Sequence, residues 1–152
     1  MPLFGYNTQM SYAFHPDRSL PVELNAVFVF GSNTPWGRHG MGAAKLALQQ
    51  FGARYGRGIG FVGRSYAIPT KTSETKTSPL TVLPLSFIAE HVRDFVDFAR
   101  EHPELSFFVT RIGCGLAGYA DAEMAPLFRG APTNCDFPEE WRAWVGSGDD
   151  PL

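Results

Sequence analysis

The chain has 152 residues, 44 % of them hydrophobic, and a formal net charge of −2. That length supports one well-formed core and is too short for two ordinary domains. No apolar run approaches the roughly 20 residues needed to span a bilayer, and the first ten residues lack the basic-then-apolar order of a signal peptide, so no membrane association and a cytoplasmic location are expected.

Residues 1–24 hold prolines, several aromatics and no clear period, and read as an irregular arm on a domain covering residues 1–145. The apolar run 26–30 (AVFVF) reads as a buried strand. It breaks into residues 31–45, GSNTPWGRHGMGAAK, the pattern of a tight loop followed by a helix start. Glycines let a backbone approach a ligand, and the free N–H groups of a helix N-terminus favour an anion. The ligand expected there is phosphorylated. Ala43, Ala44, Leu46, Ala47, Leu48 and Phe51 then give the apolar spacing of a helix over 42–51 lying close to a sheet.

A glycine-interrupted connection over 53–64 leads to a short strand, 65–68, closed by Pro69. Residues 71–79 (KTSETKTSP) have the composition of an exposed loop. Pro84 fits the first turn of a helix, in which Phe87, Ile88, Val92, Phe95, Val96 and Ala99 recur at threes and fours before His102-Pro103 stops the pattern. A strand over 105–112 runs into GCGLAGY, followed by a short helix over 121–128 and a short strand near 132–137. Residues 146–152 read as a loose tail. Alternation of strands and helices on this scale predicts a three-layer α/β/α fold with a mixed, largely parallel central sheet. Ligands of such sheets bind beyond the carboxyl ends of the strands, where the loops 31–42, 69–71 and 113–118 converge.

Charge is unevenly placed. No acidic residue lies between Glu23 and Glu74, while Arg38, Lys45, Arg54, Arg57, Arg64 and Lys71 all do. The block suggests a basic face for a nucleotide or a nucleic acid; the plainer reading is arginines solvating the surface. Cys114 and Cys135 have neither a second Cys nor a His at zinc-ligand spacing, so two reduced thiols, no metal and no cofactor are expected.

The glycine motifs exclude two common chemistries. Residues 113–118 formally match GxGxxG, yet only one short helix and one short strand follow, too little for a dinucleotide-binding half. A second phosphate loop or a tight turn demanded by packing remain. Residues 37–42 (GRHGMG) lack the Gly-Lys-Ser/Thr of a P-loop, which argues against NTP hydrolysis. Asn33 offers a carboxamide to two sugar hydroxyls, or is an ordinary turn asparagine. His39 contacts a phosphate or sugar, titrates in catalysis, or simply sits at the surface. Lys71, one of three lysines, either holds a phosphate, attacks a sugar C1, or is a solvated loop lysine.

Residues 30–33 (FGSN) with 37–44 (GRHGMGAA), then 66–71 (YAIPTK), then 111–118 (RIGCGLAG) together resemble the macrodomain superfamily, an ADP-ribose-binding α/β/α fold. Within it the chain is most similar to the ADP-ribosylglycohydrolase branch, which holds the DarG-type DNA-ADP-ribosylation antitoxins and the terminal ADP-ribose glycohydrolases. The resemblance runs over residues 26–137. It implies that Asn33 binds the distal ribose and that the loop through Gly31, Ser32, Gly37, Arg38, His39, Gly40, Met41 and Gly42 passes beneath that ribose and the diphosphate. It implies a second diphosphate loop at Gly113, Cys114, Gly115, Leu116, Ala117, Gly118 and Tyr119. The antitoxin branch carries its catalytic lysine on a strand-ending Pro-Thr-Lys, a place taken here by Lys71 after Thr70; Asn33 and, from its own chemistry, His39 complete the candidate catalytic set. Asp17 is the match for an early acidic residue that reads adenine. The terminal-glycohydrolase branch has an aspartate where this chain has Ala117, and His39 is a local novelty. The resemblance therefore implies either removal of ADP-ribose from a modified nucleobase or protein, or a module that binds ADP-ribose without turnover.

Overall fold

The computed structural model describes residues 11–146; the expectations for the first ten residues of the arm and for residues 147–152 of the tail lie outside them. In chain order the strands are β1 (Ala13–His15), β2 (Val27–Thr34), β3 (Gly60–Val62), β4 (Ser65–Thr72), β5 (Thr81–Val82), β6 (Phe107–Val109) and β7 (Cys135–Pro138). They form one mixed sheet in the order β1-β7-β6-β2-β4-β3, with β5 pairing the far part of β4. The four pairings from β1 to β4 are parallel, and β3 and β5 lie antiparallel to β4.

Helices α1 (Gly42–Gln50), α2 (Leu85–Glu101), α3 (Asp121–Met124) and α4 (Arg142–Val145) complete the chain, with single-turn 3₁₀ segments at Ala125–Phe128 and Glu139–Trp141. The period of two in β2 sorts its side chains between two cores. Val27 and Val29 join Ile68, Phe107 and Val109 under α2, where Ile88, Val92, Phe95 and Ala99 are buried. Phe28 and Phe30 turn to the other face and meet Ala44, Ala47 and Phe51 of the α1 region. Helices thus cover both faces of the sheet, giving the α/β/α layering. Small residues on α1 let it lie close to the strands. Each fully buried Phe, such as Phe30 or Phe95, contributes on the order of 2–3 kcal/mol over exposure.

Several local expectations are corrected. The arm is not wholly irregular, because residues 13–15 add an edge strand beside β7. The strand expected over 26–30 continues to Thr34, so Gly31, Ser32 and Asn33 are strand residues paired with β4. Pro69 does not close its strand. Outside β4, β3 reaches only Ala67 and β5 begins opposite Lys71, so the proline falls where no outer strand needs its missing N–H. The connection over 53–64 contains β3, and the polar loop is shorter than expected, bounded by β4 and β5. The strand expected over 105–112 is confined to 107–109. Phe87 follows the helical period yet is 54 % exposed.

Candidate functional site

One cleft of about 830 Å³ opens at the carboxyl ends of β2, β4 and β6. Its walls come from residues 31–33, 40–44, 70–71 and 110–117, with His15, Asp17, Arg18 and Ser19 at one side. The three sequence segments expected to converge therefore share one cavity.

Asn33 shapes the first wall. Its Nδ2 donates to the Arg38 carbonyl at 2.7 Å, while the Arg38 N–H donates to its Oδ1 at 2.7 Å. The Gly37 N–H also donates to the Asn33 carbonyl. The carboxamide thus acts as a backbone-like clasp for residues 33–38 and keeps one N–H and one lone pair for a ligand. Ser32 is committed similarly, its hydroxyl donating to the Gly58 carbonyl. Beyond the clasp the chain enters α1. Its N-cap, Met41, supplies no side-chain cap, and among the described residues the N–H groups of Gly42, Ala43 and Ala44 have no partner. They open where residues 40–44 line the cleft, an arrangement suited to an anion.

The second wall is the turn after β6. Tyr119 N–H donates to the Gly113 carbonyl at 2.8 Å and Gly118 N–H to Gly115 at 3.0 Å, closing the turn. Among the described residues the N–H groups of Gly115, Leu116 and Ala117 remain without partners. Gly113 has a φ of +79°, a conformation that favours glycine, and a Cβ there would press on the Met124 side chain.

A charged cluster braces this turn. Arg111 donates from Nε to one oxygen of Asp121 at 2.8 Å and from a terminal nitrogen to the other at 2.6 Å; it also reaches Asp17 at 3.0 Å. The Trp141 indole donates to Asp121 at 2.7 Å. Arg111 holds the Asp121 carboxyl below its usual range and is itself pushed up by Asp121. Burial, and then the bond to Asp121, push the Cys114 thiol up to about 12.

Between the walls, Lys71 pairs across the sheet with Asn33. The register shifts between Ser32 and Asn33, so Thr70 is the extra residue of a bulge in β4. Both Thr70 and Lys71 line the cleft. The Thr70 hydroxyl donates to the Ser32 carbonyl at 3.3 Å. The Lys71 side chain makes no hydrogen bond or ion pair among the described residues; its amine is available to a ligand.

The remaining expected site residues divide. Gly31, Ser32, Asn33, Gly40, Met41, Gly42, Thr70, Cys114, Gly115, Leu116 and Ala117 line the cleft with Lys71. Gly37, Gly118 and Tyr119 stand behind it. Gly37 abuts the backbone of Arg57, and the Tyr119 hydroxyl donates to the Leu83 carbonyl. Arg38 reaches the wall, but its guanidinium donates to the carbonyls of Lys76 and Ser78 and to the Ser73 hydroxyl, pinning that loop. His39 is a correction. It is fully buried, outside the cleft lining, with Phe30 edge-on at 5.3 Å and Tyr55 stacked at 6.4 Å. Neither ring nitrogen has a hydrogen-bond partner among the described residues, and burial lowers its pKa against an opposing pull from the Arg54 and Arg57 backbone. Its role is packing beneath the first loop.

Sequence reasoning missed His15, Arg18 and Ser19 of the side wall. His15 stacks on Phe108 at 3.8 Å and pairs through Nδ1 with Asp136 at 2.8 Å. Asp17 does reach the cleft, held by Arg111. A three-residue edge strand carries too short a pattern to be read. Among the described residues, no group of three or more His, Cys, Asp or Glu could hold a metal, and no helix is long and apolar enough to cross a membrane.

A solved structure of a protein of unknown function from Bacteroides thetaiotaomicron is similar to this chain, with a TM-score of 0.54 at 18 % identity, covering 87 % of this chain and 99 % of the other. That likeness is one of fold. No protein-family model and no curated protein matches the chain.

Proposed function

We propose that the cleft binds ADP-ribose in the manner of a macrodomain and that the protein removes it from a modified nucleobase or protein. One observation carries this reading: two sets of unpartnered backbone N–H groups, at the start of α1 and in the turn after β6, line a single cleft with Lys71. Two such sets suit a diphosphate, whose charge is spread over neighbouring phosphates. A cavity of about 830 Å³ is of the size that encloses a nucleotide-scale ligand. Lys71 then stands beside Asn33 at the ribose end, where its amine attacks C1 or stabilises charge there as the glycosidic bond breaks.

A second reading, binding without turnover, draws on a specific observation. Asn33 is engaged in clasping the loop, and Ala117 stands where an acidic partner would be, leaving Lys71 without one among the described residues. Calorimetric titration with ADP-ribose tests the cleft, and incubation of ADP-ribosylated DNA and protein with wild type and Lys71→Ala tests the chemistry. Absence of ADP-ribose binding overturns both readings. Binding without release of ADP-ribose selects the second.

A further inference from the structure

The loop between α1 and β3 is absorbed by neither wall of the cleft, yet it is built rigidly against the first. The Gly56 N–H donates to the Gly37 carbonyl at 3.3 Å, Ala53 N–H to Ala47 at 3.2 Å, and the Gly58 carbonyl takes the Ser32 hydroxyl. Gly58 lies so close to the sheet that a Cβ would fall 2.2 Å from the Asn33 carbonyl oxygen. On this fixed loop Tyr55 is 69 % exposed. Its ring lies nearly parallel to that of His39, at 15° and 6.4 Å, and His39 is in turn braced edge-on by Phe30 of the core. The Tyr55 ring thus packs toward His39 on one side and is otherwise open to solvent, so it can present a face to a ligand.

Its surroundings are basic. Arg54 and Arg57 flank it, both exposed, and neither side chain makes a hydrogen bond or ion pair among the described residues. Two other cations of the block are engaged: Arg38 pins residues 73–78, and Arg64 donates to the carbonyls of Leu24 and Gln50. No carboxylate occurs from residue 24 to residue 73.

We propose that Tyr55, with Arg54 and Arg57, forms a docking surface for single-stranded nucleic acid, stacking one base on the tyrosine while the arginines meet flanking phosphates. Every base has a π-face, so stacking between cations holds a strand without reading its sequence. The loop is fastened to Ser32, Asn33 and Gly37, which places the strand on the outer side of the first cleft wall. This deepens the glycohydrolase reading and rests on it for purpose: the carrier of the ADP-ribose is then a nucleic acid.

The test uses unmodified, fluorescently labelled 12-mers of single-stranded DNA and RNA with the full chain, read by anisotropy at several salt concentrations. Wild type is expected to bind both, Tyr55→Phe to retain binding, and Tyr55→Ala to weaken it about tenfold, the scale of one lost base stack. The Arg54→Gln/Arg57→Gln double variant is expected to flatten the log–log salt slope by about 1.4, two single-strand phosphate contacts. Preference for DNA or for RNA identifies the carrier. No binding, binding indifferent to Tyr55→Ala, or equal binding of a polyglutamate peptide overturns the proposal, the last in favour of an acidic protein partner. ADP-ribose titration of the same variants keeps the two readings apart. Oligonucleotide binding that needs Tyr55 without any ADP-ribose binding leaves this surface standing and removes the cleft reading.

Discussion

Asn33 and Lys71 stand opposite each other on neighbouring parallel strands, immediately past the bulge that Thr70 makes in β4. Paired residues of parallel strands project to the same face of a sheet, and both of these line the cleft. Without the bulge, the residue opposite Asn33 would be Thr70, and Lys71 would project to the opposite face. The bulge thus sets the geometry on which any chemistry at Lys71 depends.

Lys71→Ala is therefore expected to abolish release of ADP-ribose, by a factor on the order of 100 or more, while changing ADP-ribose affinity only a few-fold. The diphosphate contacts assigned to the two backbone walls survive that change. Single-turnover release from ADP-ribosylated oligonucleotide, set beside calorimetry, separates the two effects. Equal release by Lys71→Ala and wild type would remove the lysine from the mechanism.

Two glycines that look alike in sequence should respond oppositely to alanine. Gly58→Ala drives a methyl group to 2.2 Å from the Asn33 carbonyl oxygen, a backbone neighbour that cannot swing away. A destabilisation of about 3 kcal/mol is expected. Gly115 has nothing within 4 Å of a built Cβ, so Gly115→Ala should keep stability within about 0.5 kcal/mol and weaken ADP-ribose binding by crowding the second wall. Urea midpoints and calorimetry on both variants check the contrast.

The layering and the convergence of three segments were legible because β2 and α2 carry strong periodicity, as in Val27 and Val29 against Phe28 and Phe30. Residues 31–33, 70–71 and 114–117 line one cleft because they end β2 and β4 or follow β6, strands whose apolar runs are readable. Pro69 misled, since its cost depends on whether an outer strand faces it, and that is a property of β3 and β5. His39 misled because a polar residue between two glycines gives no sign that Phe30 and Tyr55 will enclose it. Of the side wall only Asp17 was matched, and the cluster that braces the second wall was hidden. Arg111, Asp121 and Trp141 meet through separations of ten and twenty residues, and nothing local marks such contacts.

Cys114 lines the cleft, yet its thiol should be unreactive. Burial and the bond to Asp121 hold its pKa near 12, and the thiolate is the reactive form. Cys135, fully buried, is pushed up still further by desolvation. At pH 8 the folded protein should react with a disulfide reagent far more slowly than a free thiol, and both cysteines should react at once in guanidinium. Rapid modification of one thiol in the folded protein contradicts this assignment. Asp121→Asn, which removes the carboxylate, distinguishes its share from that of burial.

His39 gives the fold a pH dependence of known sign. Desolvation lowers its pKa below the ordinary 6.5, so just below pH 6.5 the unfolded chain binds a proton that the folded protein does not. Stability contributed by the neutral ring is present above pH 6.5 and is lost as pH falls toward the folded pKa. Neither ring nitrogen has a hydrogen-bond partner of good geometry among the described residues, although the Arg54 and Arg57 backbone pulls against the desolvation, so an apolar ring should serve most of the same packing. His39→Phe is expected to cost under about 1.5 kcal/mol at pH 8 and to remove part of the stability loss between pH 7 and pH 5. The difference between the two proteins in urea midpoint across that range isolates His39 from the other histidines. A pH slope identical in wild type and His39→Phe would mean that the imidazole titrates alike in both states, and would overturn the lowered pKa assigned to it.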